Sequence, residues 1–187
     1  HSFITKWVFC QDAKVIGVQY FLLATFTGII GLILSWLMRL QLGFPEAAGF
    51  MTAEHYYQFV TMHGMIMVVY FLTALFLGGF GNYLIPLMVG ARDMVFPYLN
   101  MVSFWMFFVA VGVLLASFFV PGGPTGAGWT LYPPQTILEG TPGSTYGILL
   151  MCISLVLFVA GFTMGGLNYL ITVLQARTRG MTLMRMP

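Results

Sequence analysis

One histidine stands inside an apolar run: His63, in Thr61-Met62-His63-Gly64-Met65. Ionisable groups are costly in hydrocarbon, so such a residue is a functional candidate by default. A neutral imidazole there has three uses: it can bond a neighbouring helix, relay a proton or ligate a metal. Position alone leaves all three open. His55 lies at the boundary of the same run and His1 at the terminus, so a haem held by two histidines would need one from elsewhere. Tyr56 precedes His63 by seven residues, which places both on one helical face. Arg39 closes a neighbouring apolar run. A cation and a phenol above a histidine suit a cofactor whose carboxylates point outward. They equally suit a snorkelling arginine and an interfacial aromatic belt. Trp129 and Tyr132, in a loop, carry the same two readings.

A second group is Asn82, Asp93, Asn100 and Asn168. Asparagines hold no charge but can order a file of waters beneath a carboxylate, which makes a path for protons. The competing reading is hydrogen bonding between helices and a local ion pair of Asp93 with Arg92.

The elements that position these residues follow from composition. The chain has 187 residues, 59% hydrophobic and 6% charged, with a mean hydropathy of +0.92. A soluble domain carries about 25% charge. The net charge of +2 is too small for a phosphate-tracking surface, so nucleic acid is excluded as a partner. The fold class expected is an all-α membrane protein. Four runs are long enough to cross a bilayer, at about 15–38, 57–89, 97–120 and 146–174. Pro86 should kink or end the second. The Gly- and Pro-rich stretch from Pro121 to Thr145 reads as a loop. Neither a signal peptide nor an internal repeat is visible. Cys10 and Cys152 are too few for a disulfide framework, and Cys152 reads as packing. Gly78, Gly79 and Gly81, and Gly161, Gly165 and Gly166, would let helices or a flat ligand approach closely.

Positive charge sets the orientation. One side of four spans holds Lys6, Lys14, Arg92, Arg177, Arg179 and Arg185 against Asp12 and Asp93. The other holds Arg39 against Glu46, Glu54 and Glu139. Both termini are therefore expected on the cytoplasmic side. His63 then lies roughly 12 Å below the outer end of the second helix, counted from His55 at 1.5 Å per residue. The asparagines and Asp93 fall in the inner leaflet.

The 43 residues from His63 to Trp105, HGMIMVVYFLTALFLGGFGNYLIPLMVGARDMVFPYLNMVSFW, closely resemble helices two and three of subunit I of the haem–copper oxidases. DAKVIGVQY near the N-terminus, GAGWTLYPP at 126–134 and GGLNYLITVLQARTRGMTLMRMP at the C-terminus resemble the same family in the same order. The resemblance implies that His63 is an axial ligand of the low-spin haem iron. It places Arg39 near that haem's edge, Tyr56 near its substituents and Trp129 near its propionates. Asp93 matches the entrance of the D proton pathway, and Asn82, Asn100 and Asn168 the asparagines lining its first section. That pathway belongs to the A-type oxidases, not the nitric-oxide-reductase or C-type branches.

The match has departures. Asp12-Ala13-Lys14 stands where Asp-His-Lys is usual, and Met101 where a second asparagine often follows Asn100. Gly161 and Phe162, with Thr163 next, replace pathway serines. Gln41 replaces a glutamate tied to a calcium or sodium site, so that site is not expected. The family subunit has about twelve membrane helices, each of about 20 residues. The second ligand of the low-spin haem, the ligand of the high-spin haem and the copper-binding histidines are not among these residues. The chain resembles the N-terminal third of subunit I, as a piece of a twelve-helix bundle or one product of a split gene.

The expected function is therefore part of a proton-pumping, membrane-embedded respiratory oxidase that reduces O2 with electrons from cytochrome c. Its implied partners are the remainder of subunit I, subunits II and III and the lipid bilayer. A bacterial inner membrane is favoured over the mitochondrial one. A quinol oxidase is the first alternative: His55 and Gln58 sit where such enzymes place polar residues near a quinone. The acidic and basic partners expected on helix one are Ile30 and Leu34 here. A non-catalytic haem-carrying scaffold is the second, decided by whether helices five to twelve exist on this chain or a partner.

Overall fold

The computed structural model describes residues 3–47 and 49–187; His1 lies outside them. Those residues contain helices and no strand. A short helix, α1 (Phe3–Trp7), precedes the first span, α2 (Ala13–Gly43). The second span runs without a break from Ala53 to Val89. It opens as α3 (Ala53–Gly64), continues as a π-helical segment (Met65–Gly81) and closes as α4 (Asn82–Val89). The third and fourth spans are α5 (Pro97–Ala116) and α6 (Tyr146–Gln175). All four are long and apolar enough to cross a membrane. Between 22% and 39% of the most apolar stretch of each is buried, so most of that surface is left for lipid or further helices. The chain is an integral membrane protein.

Local chemistry sets the ends. Thr52 accepts the His55 N–H at 3.3 Å and caps α3. At the far end Pro86 stays inside α4, and the stop comes at Gly90, whose φ of 73° a glycine adopts without strain. The Ala91 N–H then closes onto the Pro86 carbonyl at 2.9 Å. α5 ends at Ala116, four residues short of the expected Val120. Ser117, Phe118 and Phe119 tighten into bonds to the third residue back, ahead of Pro121, whose ring disfavours helix in the residue before it.

The π-helical segment is visible in burial as well as in bonding. Ile66, Tyr70, Ala74, Gly78 and Asn82 are buried, and Val68, Leu72, Phe76, Phe80 and Leu84 are exposed. Each set repeats every four residues. In an α-helix four residues overshoot a turn by about 40°, so such a series would wander off its face. The wider i→i+5 turn keeps it in line.

The chain divides into two compact units. One comprises the chain up to Ala24 with Leu72–Val109 and Leu157–Pro187; the other comprises Thr25–Phe71 and Ala110–Val156. The first is packed around aromatic rings. Tyr20 meets Phe104 edge-on at 5.0 Å, and Phe107 meets Phe162 at 5.2 Å. Gly78 leaves the space that the Tyr20 ring fills, since a Cβ there would lie 2.3 Å from it. Gly79 does the same for Phe21 and Gly161 for the Ser103 carbonyl, whereas Gly166 faces open space. In the second unit the buried Tyr70 hydroxyl bonds Ser154, whose own hydroxyl donates to the Ala110 carbonyl at 2.5 Å. Cys152, expected to pack, is exposed on α6.

Candidate functional site

His63 stands at the last turn of α3, half-buried. Its Nδ1 lies 2.8 Å from the backbone carbonyl of Gly31 on α2. A carbonyl only accepts, so Nδ1 carries the proton and Nε2 carries the lone pair. Among the described residues none hydrogen-bonds Nε2. Glycines make the approach possible. A Cβ on Gly31 would lie 2.5 Å from Met67 Sδ, and one on Gly28 2.8 Å from the Phe71 ring. A carbonyl-anchored imidazole with Nε2 free is the arrangement in which metal-bound histidines are held, because the bond fixes the tautomer and raises basicity. The residues present therefore fit an axial haem ligand at His63. Among the described residues no group of three or more His, Cys, Asp or Glu side chains is placed to hold a metal ion by itself.

The loop before α6 is fastened to the same helix. Gln58 is buried, and its amide nitrogen donates to the Gly122 carbonyl at 2.7 Å and the Pro124 carbonyl at 2.8 Å. Three residues on, the Thr61 hydroxyl accepts the Gly128 N–H at 3.0 Å and donates to Tyr57. These clamps set Trp129 against Gly64, where a Cβ would lie 2.9 Å from the indole Cδ1. The structure thus brings Trp129 against Gly64, the residue that follows His63 in the chain. Tyr56 is half-buried and lines a separate cavity of about 310 Å³ with Gln41 and Met51. There Gln41 accepts the Met51 N–H at 3.3 Å. Arg39 is exposed, with no hydrogen bond or ion pair among the described residues. Tyr132 is exposed in the loop. Gly31 and Thr61 were not among the candidates. A carbonyl acceptor has no signature in sequence, and a threonine in a helix reads as filler.

The second group lies in the other unit. Asn82 and Asn100 are fully buried and bonded to each other: Asn100 Nδ2 donates to Asn82 Oδ1 at 2.5 Å. Asn82 Nδ2 donates to the Gly78 carbonyl and to the Tyr169 hydroxyl, each at 2.7 Å. Asn100 Oδ1 is buried and has no partner, an acceptor awaiting a donor such as water. Asn168 does not join this pair. Its amide brackets Phe96, accepting the N–H at 3.0 Å and donating to the carbonyl at 3.1 Å. Thr172, one turn on, accepts the Val95 N–H at 3.1 Å. Together they hold the turn between Asp93 and α5.

Asp93 is half-buried in that turn. Oδ1 accepts the N–H of Met94 at 2.7 Å and that of Ala13, the first residue of α2, at 3.1 Å. Burial pushes its carboxyl above the usual value; the two backbone N–H groups oppose this, nearby Asp12 adds to it and Arg92 offsets it weakly. Oδ1 is spent on backbone, and among the described residues Asp93 forms no ion pair with Arg92.

The family described as Cytochrome C and Quinol oxidase polypeptide I matches residues 15–187. Over 186 residues the chain is 72% identical to the alternative cytochrome c oxidase subunit 1 of Bradyrhizobium diazoefficiens, covering 100% of this chain and 32% of that protein. It is 37% identical to cytochrome c oxidase subunit 1 of Eremothecium gossypii, covering 99% and 34%. It is 39% identical to quinol oxidase subunit 1 of Bacillus subtilis, covering 98% and 27%. The chain spans about a third or less of the length of these relatives. It belongs to the subunit I family of the haem–copper oxidases.

Proposed function

We propose that this chain is the part of the catalytic subunit of a proton-pumping terminal oxidase that holds one face of the low-spin haem and the mouth of a proton path. The enzyme would take electrons from cytochrome c and reduce O2 to water. The observation that carries the reading is the His63–Gly31 bond at 2.8 Å, which leaves Nε2 free to bind iron. When bound there, the haem supplies one-electron transfer within the membrane. His63 orients its imidazole through Gly31. Trp129, clamped by way of Gln58 and Thr61, would offer its indole N–H to a carboxylate of the group, and Arg39 and Tyr56 would offer a cation and a phenol. The high-spin haem and copper would be held by the remainder of subunit I, with subunits II and III as further partners.

Asp93 would collect protons on the cytoplasmic side of a bacterial inner membrane. Its burial favours the protonated form, and its partial exposure admits water. The Asn82–Asn100 pair would receive the proton-carrying water at Asn100 Oδ1, while Asn168 and Thr172 keep the turn in place. In the full enzyme, His63→Ala should remove the low-spin haem absorption. An unchanged spectrum would end the ligand assignment.

A quinol donor is the second reading, because His55, Glu54 and Gln58 line a cavity of about 550 Å³. Both N–H groups of Gln58 are spent on loop carbonyls, which weighs toward cytochrome c. Quinol-driven O2 uptake by the purified enzyme would reverse that choice.

A further inference from the structure

Tyr169 follows Asn168 on α6, in a run that otherwise reads as apolar packing. Its phenol lies across Gly81, where a Cβ would stand 3.1 Å from the ring and the hydroxyl. The hydroxyl donates to the Leu77 carbonyl at 2.5 Å and accepts from Asn82 Nδ2 at 2.7 Å.

These bonds have only one consistent direction. The Leu77 carbonyl carries no proton, so the phenol must donate to it and can only accept from Asn82. Asn82 therefore turns its nitrogen toward Tyr169 and Gly78, and its oxygen toward Asn100. Asn100 must answer with its nitrogen, which leaves Asn100 Oδ1 as the one unpartnered atom of the pair.

We propose that Tyr169 is a positioning residue of the proton path: together with the Gly78 carbonyl it holds the nitrogen of Asn82 and so the polarity of the amide pair, so that the pair presents an acceptor to the incoming water. The inference rests on the proton-uptake reading above. Without the hydroxyl, one Nδ2–H of Asn82 loses its partner beside a buried acceptor that has none, and the Gly78 carbonyl alone is left to hold the nitrogen in place. Buried polar groups find partners, and an Asn82 amide that turns to Asn100 Oδ1 removes the acceptor the water needs. Proton delivery would then limit turnover most where protons are scarce.

The test uses the full enzyme reconstituted in vesicles, with Tyr169→Phe and Asp93→Asn side by side. Tyr169→Phe should keep the haem spectrum and lower turnover about five-fold, the weight of one part-buried hydrogen bond. Pumped protons per electron should fall, and turnover should drop more steeply than wild type toward alkaline pH. A merely structural tyrosine would lower thermal stability and leave the pumping ratio and the pH profile alone. If Asp93→Asn abolishes pumping while Tyr169→Phe matches wild type in both, the Tyr169 role is overturned and the proton-uptake reading stands. If Asp93→Asn pumps normally, both fall. Should Tyr169→Phe fail to assemble haem, Gly81→Ala decides. It displaces the phenol but keeps its hydroxyl, and wild-type pumping at a wild-type pH profile would overturn the role.

Discussion

His63 donates its Nδ1 proton to the backbone carbonyl of Gly31 at 2.8 Å, and the acceptor cannot be mutated away because it is main chain. It can be moved. A Cβ on Gly31 would stand 2.5 Å from Met67 Sδ and 3.2 Å from Ile66 Cγ2. Met67 can yield, since methionine is flexible; the buried Ile66 cannot as easily. Gly31→Ala should keep the low-spin haem, shift its midpoint potential and cost about 1–3 kcal/mol of stability. A redox titration checks the first two outcomes, and an unshifted potential would show that the carbonyl does not tune the imidazole.

Asp93 gives a pH signature. Burial holds its carboxyl above the ordinary 3.8. A raised folded-state value means that its contribution to stability is complete below the ordinary value and is lost as pH rises through the raised one. At neutral pH the carboxylate is therefore a burden on the fold. Asp93→Asn should melt no lower than wild type at neutral pH, with any advantage shrinking as pH falls toward 3.8. Thermal melts at a series of pH values read this directly. A variant that is less stable at neutral pH and recovers in acid would reverse the sign.

Asn168 should report on stability more than on spectra. Its amide satisfies both the N–H and the carbonyl of Phe96, and Asn168→Ala orphans the N–H. The loss should be about 1–3 kcal/mol, read as a lower midpoint in denaturation of the detergent-solubilised enzyme. Thr172→Val frees the neighbouring Val95 N–H, so the double variant should cost a different amount from the sum of the singles.

Gln58 and Thr61 should govern how tightly the third loop is held. Gln58→Ala removes both bonds to the Gly122 and Pro124 carbonyls, and local opening of such a loop is what a protease detects. Cleavage between 122 and 142 should accelerate in Gln58→Ala, and further when Thr61→Val is added. Unchanged cleavage would mean that the loop is held by its own turns.

Four apolar runs were legible because each lacks charge for the length of a bilayer, a property of single residues. The partners of the candidate residues were not. Asn82 and Asn100 were visible as types, but their pairing depends on how the turn between them folds. Asn168 read as a fourth member of the same file, and its amide instead went to Phe96, whose main chain carries no mark in sequence. Tyr169 was hidden because a phenol in an apolar run looks like any aromatic. Arg39, Tyr56 and Trp129 were read together, yet of the three only Trp129 is set against Gly64, the residue after the histidine, since loop carbonyls and not side-chain charges steer it there.

The widened turns between Met65 and Gly81 make the second span sensitive to counting. Burial there recurs every fourth residue, from Ile66 to Asn82. Removing or inserting a single residue within this segment, after Ile66, would rotate all that follows by about a quarter of a circle. Asn82 would leave its face while Ile66 kept its own. The length of this stretch behaves like a gear tooth, setting which of its own residues turn inward.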